Sequence, residues 1–395
     1  MSKRISVDGK AIRRERLKRA LTQEELAERA SLGIRTLRRL EAGYATLDTM
    51  KRVRQVLETA PEVETVDQHV PRQREMLDAL YHEPLTLILS TGFMPLFRPI
   101  AERIGDVRKH IAREVGIALP GVRMQDDTRL EEGAYRILIQ GKTVGRDRVR
   151  REGWLVVAPE HDLESLKGER CEDPTYGMPA VWMEERPDPE IYSLCFDPVS
   201  VICTHLTERI KAHAAELLGV DEVEALLSGL GRPTLVKLVT ERFSVVLLRR
   251  VLKNLLRERL TIRPLPLILE TLLDCPEGAG EETLTERARA ALGWFTCQEL
   301  ANPQGEINAI VFEPGYQREI LNAWEKESSA IFKKVQRVVL EVHADGRNAV
   351  IVVDPDLRPG LAKKLRDPNV SVLSTEEIDP AFRVLPWRVL ERVED

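Results

Sequence analysis

The sequence predicts an α+β multidomain protein, with an all-α helix-turn-helix bundle at its amino-terminal end and a longer α/β body after it. Three observations lead there. The chain has 395 residues, more than one ordinary hydrophobic core supports. Its apolar residues recur at helical spacing over residues 9–57, and after about Leu85 they gather into short strand-like runs interleaved with helices. Its charge is uneven: residues 1–59 carry 15 Lys and Arg against 8 Asp and Glu, a local +7 in a chain of net −5, which leaves −12 for the rest. Such asymmetry predicts a nucleic-acid-facing end joined to a differently employed body.

Composition agrees with a folded, soluble chain, at 43% hydrophobic and 31% charged residues. No apolar stretch approaches the ~18–20 residues a bilayer crossing needs. The richest runs, Leu265–Leu269 and Ala349–Val353, read as core pieces. Met1-Ser2-Lys3-Arg4-Ile5 leads into charge and not into an apolar segment, so the expectation is a cytoplasmic protein with no membrane insertion. Cys171, Cys195, Cys203, Cys275 and Cys297 are scattered without a CxxC pair, and their odd number argues for small buried hydrophobes over a disulfide framework.

Within the amino-terminal region, Gly9–Ala20 reads as a basic first helix carrying Ile12 and Leu17. Thr22-Gln23-Glu24-Glu25 is a capping-box pattern that starts the second helix. Ser31-Leu32-Gly33 supplies the turn, and Ile34–Ala42 the third helix, with Ile34, Leu37 and Leu40 on one side and Arg35, Arg38 and Arg39 on the other. Gly43 ends it. Leu47–Leu57, with Leu47, Met50, Val53 and Leu57 on one stripe, closes the core. TQEELAERA (22–30) followed by RTLRRLEAG (35–43) resembles the lambda-repressor/Cro-like, XRE-type helix-turn-helix family over residues 9–53, with Ala20 and Gly33 as mild departures. That resemblance implies a DNA-binding domain over 1–58 on double-stranded DNA, with Gln23 on phosphate and Arg35, Thr36, Arg38 and Arg39 toward base edges. The competing reading is a helical bundle whose arginines form a solvated face.

Residues 59–80, with Pro61 and Pro71 and no sustained period, read as a linker. Beyond it the sequence predicts strands at Leu85–Leu89, Tyr135–Ile139, Trp154–Val157, Ile307–Phe312, Val338–Val342, Ala349–Val353 and Ser371–Ser374. Helices are predicted at Ile100–Val115, at Val199–Leu218, through most of 221–300 and at Leu361–Leu365.

The body's motifs, LPGVRM (119–124), DPTYGMPAVWM (173–183), DPVSVICTHLTERIKAHAAELLG (197–219), VLKNLLRERLTIRPLPLILETL (251–272) and ARAALGWFTCQEL (288–300), resemble in order the cytoplasmic domain of the flagellar and type III secretion export gate, the FlhA or FHIPEP family. The resemblance implies a four-part body: a first α/β subdomain (81–151 with 199–219), a second inserted into it (152–198), a helical third (220–300) and an α/β fourth (301–395). It implies ring assembly and a cleft that receives secretion chaperones or substrates, with Asp173, Tyr176 and Thr204 on its floor. Tyr176 departs from the apolar aromatic usual there. The alternative reads Asp173-Pro174 as a turn, with Tyr176 and Trp182 as packing residues. The family's multi-span membrane half has no counterpart in these residues, so this chain is expected not to be the gate itself.

Chemistry is not evident in the sequence. His205 and His213 are eight apart and do not share a ligand face, and Gly141-Lys142-Thr143-Val144-Gly145 lacks the order of a phosphate loop and suits a hairpin. The expectation is therefore a non-enzyme without cofactor or metal: a DNA-binding transcriptional regulator whose export-gate-like body senses secretion chaperones or substrates, acting as a homo-oligomer, dimeric on DNA with a possible ring through the body. The alternative is a soluble adaptor or structural component of the export apparatus, with the helix-turn-helix used for protein contacts.

Overall fold

Thr22 caps a helix, as its spacing to Glu25 predicts. In the computed structural model, Thr22 Oγ1 accepts from the Glu25 N–H at 3.1 Å and the Glu25 carboxylate accepts from the Thr22 N–H at 2.7 Å. The structure describes residues 4–19, 21–59, 83–185, 194–344, 348–365, 367 and 370–391; from residue 60 onward the expected linker lies outside them. The chain divides into two compact units, residues 1–81 and 82–395.

The first unit runs β1 (Arg4–Ser6), α1 (Gly9–Lys18), α2 (Gln23–Arg29), α3 (Ile34–Glu41), β2 (Tyr44–Thr46) and α4 (Leu47–Thr59). Ile12, Leu26, Leu37, Leu40, Val53 and Leu57 form its core. Two features differ from the sequence reading. Leu47 is exposed, because at 100° per residue it stands off the stripe that Val53 and Leu57 define. A short antiparallel pair, β1 with β2, was not anticipated. Gly9 is required where α1 meets the end of α3: a Cβ there would lie 2.2 Å from the Glu41 carbonyl oxygen.

In the second unit, β3 (Leu85–Leu89), α5 (Phe97–Glu114), β4 (Val122–Asp126), β5 (Ala134–Ile139) and β6 (Lys142–Arg148) build a mixed sheet of order β4-β3-β5-β6. β3 is buried along its whole length, while β5 buries Tyr135, Ile137 and Ile139 in alternation. Gln140 and Gly141, both at positive φ (49° and 76°), turn β5 into β6, so the glycine-containing segment does close a hairpin. An antiparallel sheet of order β10-β7-β9-β8 follows, made of β7 (Trp154–Val157), β8 (Glu169–Glu172), β9 (Pro179–Met183) and β10 (Cys195–Phe196), with α6 (Glu160–Leu163) between β7 and β8. The chain then returns through α7 (Pro198–Ala212), which packs on α5 and β6. Helices α8 (Val220–Gly229), α9 (Pro233–Arg242), α10 (Val245–Arg257), α11 (Leu265–Asp274), α12 (Glu281–Ala291) and α13 (Gly293–Leu300) come next, and their apolar faces share one continuous core with the first sheet.

The final region is a parallel sheet of order β13-β12-β11-β14, from β11 (Glu306–Phe312), α14 (Pro314–Ala344), β12 (Ala349–Val353), α15 (Arg358–Leu365), β13 (Val370–Ser374) and β14 (Arg383–Leu390). Its faces divide by residue parity: Ile310, Phe312, Ile351 and Val353 join one core, while Ile307, Ala309, Val350 and Val352 join another with Cys297 of α13. The strand expected at Val338–Val342 is instead part of α14. Val335, Val338, Val339 and Val342 are buried while Leu340 is 68% exposed, which is the i, i+3, i+4, i+7 pattern of a helix and not the alternation of a strand.

An ionic network joins this region to the helices. Arg289 of α12 donates to Glu377 at 2.8 Å, to Glu258 at 2.8 Å and to the Val372 carbonyl at 3.1 Å. Arg358 of α15 donates to the same Glu258 at 2.7 Å and to Glu286 at 2.6 Å.

Candidate docking site

The helix that carries Thr204 is started by Asp197, whose carboxylate accepts from the Ser200 N–H at 2.7 Å, and by Pro198 in its first turn. It ends at Ala212, and the expected continuation to Leu218 is a separate tight turn over Ala214–Leu217. Ile202, Leu206 and Ile210 face the core; Thr204 is exposed. His205 belongs to the core: it is 3% exposed, and its Nδ1 shares a 2.7 Å hydrogen bond with the Tyr135 hydroxyl. Burial, with the Arg209 charge second, lowers its pKa to about 4, and burial pushes the Tyr135 phenol well above its usual value. A neutral imidazole and a protonated phenol therefore meet there. His213 sits instead at the helix end, 3.2 Å from Glu216.

Against α7 lies the loop between β8 and β9. Asp173 is its scaffold: its Oδ2 accepts from the Thr175 N–H at 3.1 Å and the Tyr176 N–H at 2.7 Å. Its own N–H donates to the Met178 carbonyl at 2.7 Å, and its carbonyl accepts from the Gly177 N–H at 2.8 Å. Gly177, at φ +69°, closes the turn in a conformation that disfavours a Cβ. Burial raises the Asp173 pKa, opposed by the two backbone N–H groups. The result projects Tyr176, 64% exposed, next to Met178, 43% exposed. Arg209 of α7 donates to the Thr175 carbonyl at 3.4 Å. The Tyr176 phenol is raised by burial and then by the charge of Glu208, which stands one helical turn beyond Thr204.

Asp173 and Tyr176 thus share one preformed loop, and Thr204 lies on the helix that this loop touches. Asp173 shapes the turn and is only 8% exposed. Trp182 packs, at 5% exposure, whereas Tyr176 does not. Sequence reasoning missed Met178 and Glu208, although an apolar residue beside the turn glycine and a carboxylate at i+4 from Thr204 were both readable.

In the first unit, Gln23 is engaged internally: its amide donates to Glu41 at 2.5 Å and its carbonyl accepts from Arg38 at 3.3 Å. Arg16 reaches the same Glu41 at 2.7 Å. Burial works against that carboxylate, but the hydrogen bonds from Arg16 and Gln23 outweigh it and hold its pKa below the usual range. Arg35, Thr36, Arg38 and Arg39 are exposed on α3.

The FHIPEP family model matches residues 18–383. The chain belongs to the FHIPEP family. It is 30% identical over 344 residues to the flagellar biosynthesis protein FlhA of Yersinia enterocolitica, a match covering 81% of this chain and 49% of that one. It is 31% identical over 293 residues to FlhA of Escherichia coli (strain K12), covering 70% and 42%, and 27% identical over 371 residues to FlhA of Bacillus subtilis (strain 168), covering 87% and 55%. The chain spans about half the length of these curated relatives. Among solved structures it resembles the Chlamydia pneumoniae CdsV protein (TM-score 0.68, 22% identity, covering 78% of this chain and 98% of that one). It also resembles the Shigella flexneri MxiA protein (TM-score 0.63, 19% identity, 78% and 99%) and the nonameric SctV-C of EPEC (TM-score 0.65, 19% identity, 78% and 98%). The FHIPEP body accordingly has the mixed α+β fold of these export-gate domains.

These relatives correct the functional expectation. They are flagellar biosynthesis and type III secretion proteins, so the reading of a DNA-binding transcriptional regulator is overturned in favour of the export-apparatus alternative. Nothing in these relatives supports the expected placing of Gln23, Arg35, Thr36, Arg38 and Arg39 on DNA, and Gln23 has both ends of its amide engaged by Glu41 and Arg38. Among the described residues no helix is long and apolar enough to cross a membrane.

Proposed function

We propose that this FHIPEP chain is a cytoplasmic component of a type III or flagellar protein export apparatus, acting by binding and not by catalysis. The loop 173–178 with the exposed face of α7 receives an export chaperone or its cargo. The observation that carries this reading is the preformed turn that holds Tyr176 out beside Met178: a rigid, amphipathic aromatic presented without an ordering cost is what a binding hot spot needs. The body is read as four subdomains, 81–151 with 199–219, 152–198, 220–300 and 301–395, and as a ring-former, since the similar SctV-C of EPEC and EscV cytosolic domain are nonameric. The first unit is read as a helix-turn-helix bundle used for protein contacts.

The test is capture of purified export chaperones, alone and with cargo, on the immobilised full chain and its Tyr176→Ala variant, with mass in solution measured alongside. Retention by the parent chain and loss in the variant is the expected result. Equal retention by both removes the site, and no retention of any export component by either removes the function.

A further inference from the structure

The segment Arg146-Asp147-Arg148-Val149-Arg150-Arg151 places four arginines within six residues of a body whose net charge is strongly negative. The fold sets two of them side by side. The Val149 N–H donates to the Gly133 carbonyl at 2.9 Å, and the Val149 side chain is 2% exposed. Gly133, at φ +79°, comes so close that a Cβ on it would lie 2.5 Å from the Val149 carbonyl oxygen. With Val149 buried, its neighbours Arg148 and Arg150 come to one opening. A cavity of about 460 Å³ opens beside them, lined by Arg148, Arg150 and Arg151, by Glu132 and Glu169, and by Trp182 among its apolar residues. That volume accommodates a small group of side chains.

The chain itself displays the chemistry this cavity takes. The Glu169 carboxylate rests on Arg150, whose Nε donates to Oε2 at 3.1 Å and whose Nη2 donates to the same oxygen. Among the described residues, the other pairings of these arginines are long and exposed: Arg148 to Glu131 at 3.9 Å, Arg151 to Glu152 at 3.8 Å and Arg150 to Glu184 at 3.7 Å. Contacts of that kind hold little free energy and exchange readily. Guanidinium forks match carboxylates in two-point geometry, and three of them around one opening favour several carboxylates over one. The two glutamates in the lining work against a phosphate dianion more than against a carboxylate monoanion.

We propose that this cavity binds an acidic segment of a protein partner, one carrying several Asp or Glu residues around an apolar side chain, and that its carboxylate displaces Glu169 from Arg150. The lining contains neither Tyr176 nor Thr204, so the inference stands apart from the docking site above.

The test is fluorescence anisotropy with the full chain and a fluorescein-labelled peptide, Glu-Asp-Leu-Glu-Asp-Leu-Glu-Asp, at low salt. Saturable binding is expected, weakened about tenfold or more in the R148E/R150E/R151E variant. A glutamine series, R148Q/R150Q/R151Q, reads the same loss if charge reversal impairs folding. Y176A and R35A/R38A/R39A are expected to bind as the parent does. Glu169→Gln is expected to tighten binding about threefold by freeing Arg150, while Glu184→Gln, the same charge change outside the lining at a carboxylate 3.7 Å from Arg150, tightens it less. Equal affinity for the parent and both arginine series overturns the site. So does loss confined to the Arg35, Arg38 and Arg39 variant, an equal response to Glu169→Gln and Glu184→Gln, or displacement of the peptide by an equal concentration of inorganic phosphate.

Discussion

Arg289 and Glu377 meet 2.8 Å apart with side chains only 2% and 1% exposed, one from the helical region and the other from the turn after β13. Such a pair contributes little net stability over an apolar isostere, but leaving either charge alone in that setting is costly. Arg289→Met is therefore expected to destabilise the second unit by about 3–5 kcal/mol in urea unfolding. Arg289→Met with Glu377→Gln should cost less than the sum of the two single changes. A single-site cost under about 1 kcal/mol would show that the pair is solvated.

The Tyr176 loop makes a contrasting claim, separating shape from contact. Asp173→Ala removes the acceptor for two backbone N–H groups and is expected to cost about 1–2 kcal/mol. Gly177→Ala forces a left-handed conformation on a residue with a Cβ, at about 1 kcal/mol. Tyr176→Ala should leave stability within about 0.5 kcal/mol, as an exposed change does. Thermal melts of the three variants decide it, and a Tyr176→Ala loss as large as that of Asp173→Ala means that the ring packs and does not dock.

The Tyr135–His205 pair gives the second unit a pH dependence. Burial holds His205 at about 4, while a histidine in an unfolded chain titrates near 6.5. Below pH 6.5 the unfolded chain takes up a proton that the native chain refuses. The contribution is thus whole above about pH 6.5 and declines as pH falls toward 4, by on the order of 3 kcal/mol over the full shift. Melting temperatures across pH 7.5 to 4.5 should fall more steeply for the parent than for His205→Gln, and parallel curves would count against the buried neutral imidazole.

Adjacent residues on α14 discriminate a helix from a strand. Val339 is 4% exposed and Leu340 68%. Val339→Asp buries an unpaired carboxylate and is expected to destabilise by at least about 3 kcal/mol. Val338→Asp should do the same, because 338 and 339 lie on one helical face, whereas Leu340→Asp should be tolerated. Tolerance at 339 with loss at 340 would restore the strand.

Much of this architecture was legible because it rests on local rules. The Thr22–Glu25 box, the buried runs of β3 and β12 and the stripe of α7 each follow from spacing within a few residues. β4, β8 and β14 were missed since they are edge strands with at most one buried residue each, and their pairing depends on partners elsewhere in the chain. The four valines of α14 misled because β-branched residues favour strands until tertiary burial overrules them. In the candidate site, Asp173 and Tyr176 stand out by their motif. That Asp173 builds the turn while Tyr176 faces out was not legible there, since burial is a property of the fold. The function was misread for a similar reason: a basic helix face looks alike whether its partner is DNA or protein.

The pairing of β11 with β14 bears on how this chain is made. Glu306 aligns with Arg383 and Phe312 with Leu390, so the strand that opens the final region completes its hydrogen bonding with one nearly eighty residues later. β11 borders β12 on one side and waits for β14 on the other. Until residue 390 has left the ribosome, one edge of β11 is open, and contacts of such sequence separation form slowly. An aggregation-prone edge is thus exposed from the synthesis of β11 until β14 emerges, and truncation before residue 383 leaves that edge open.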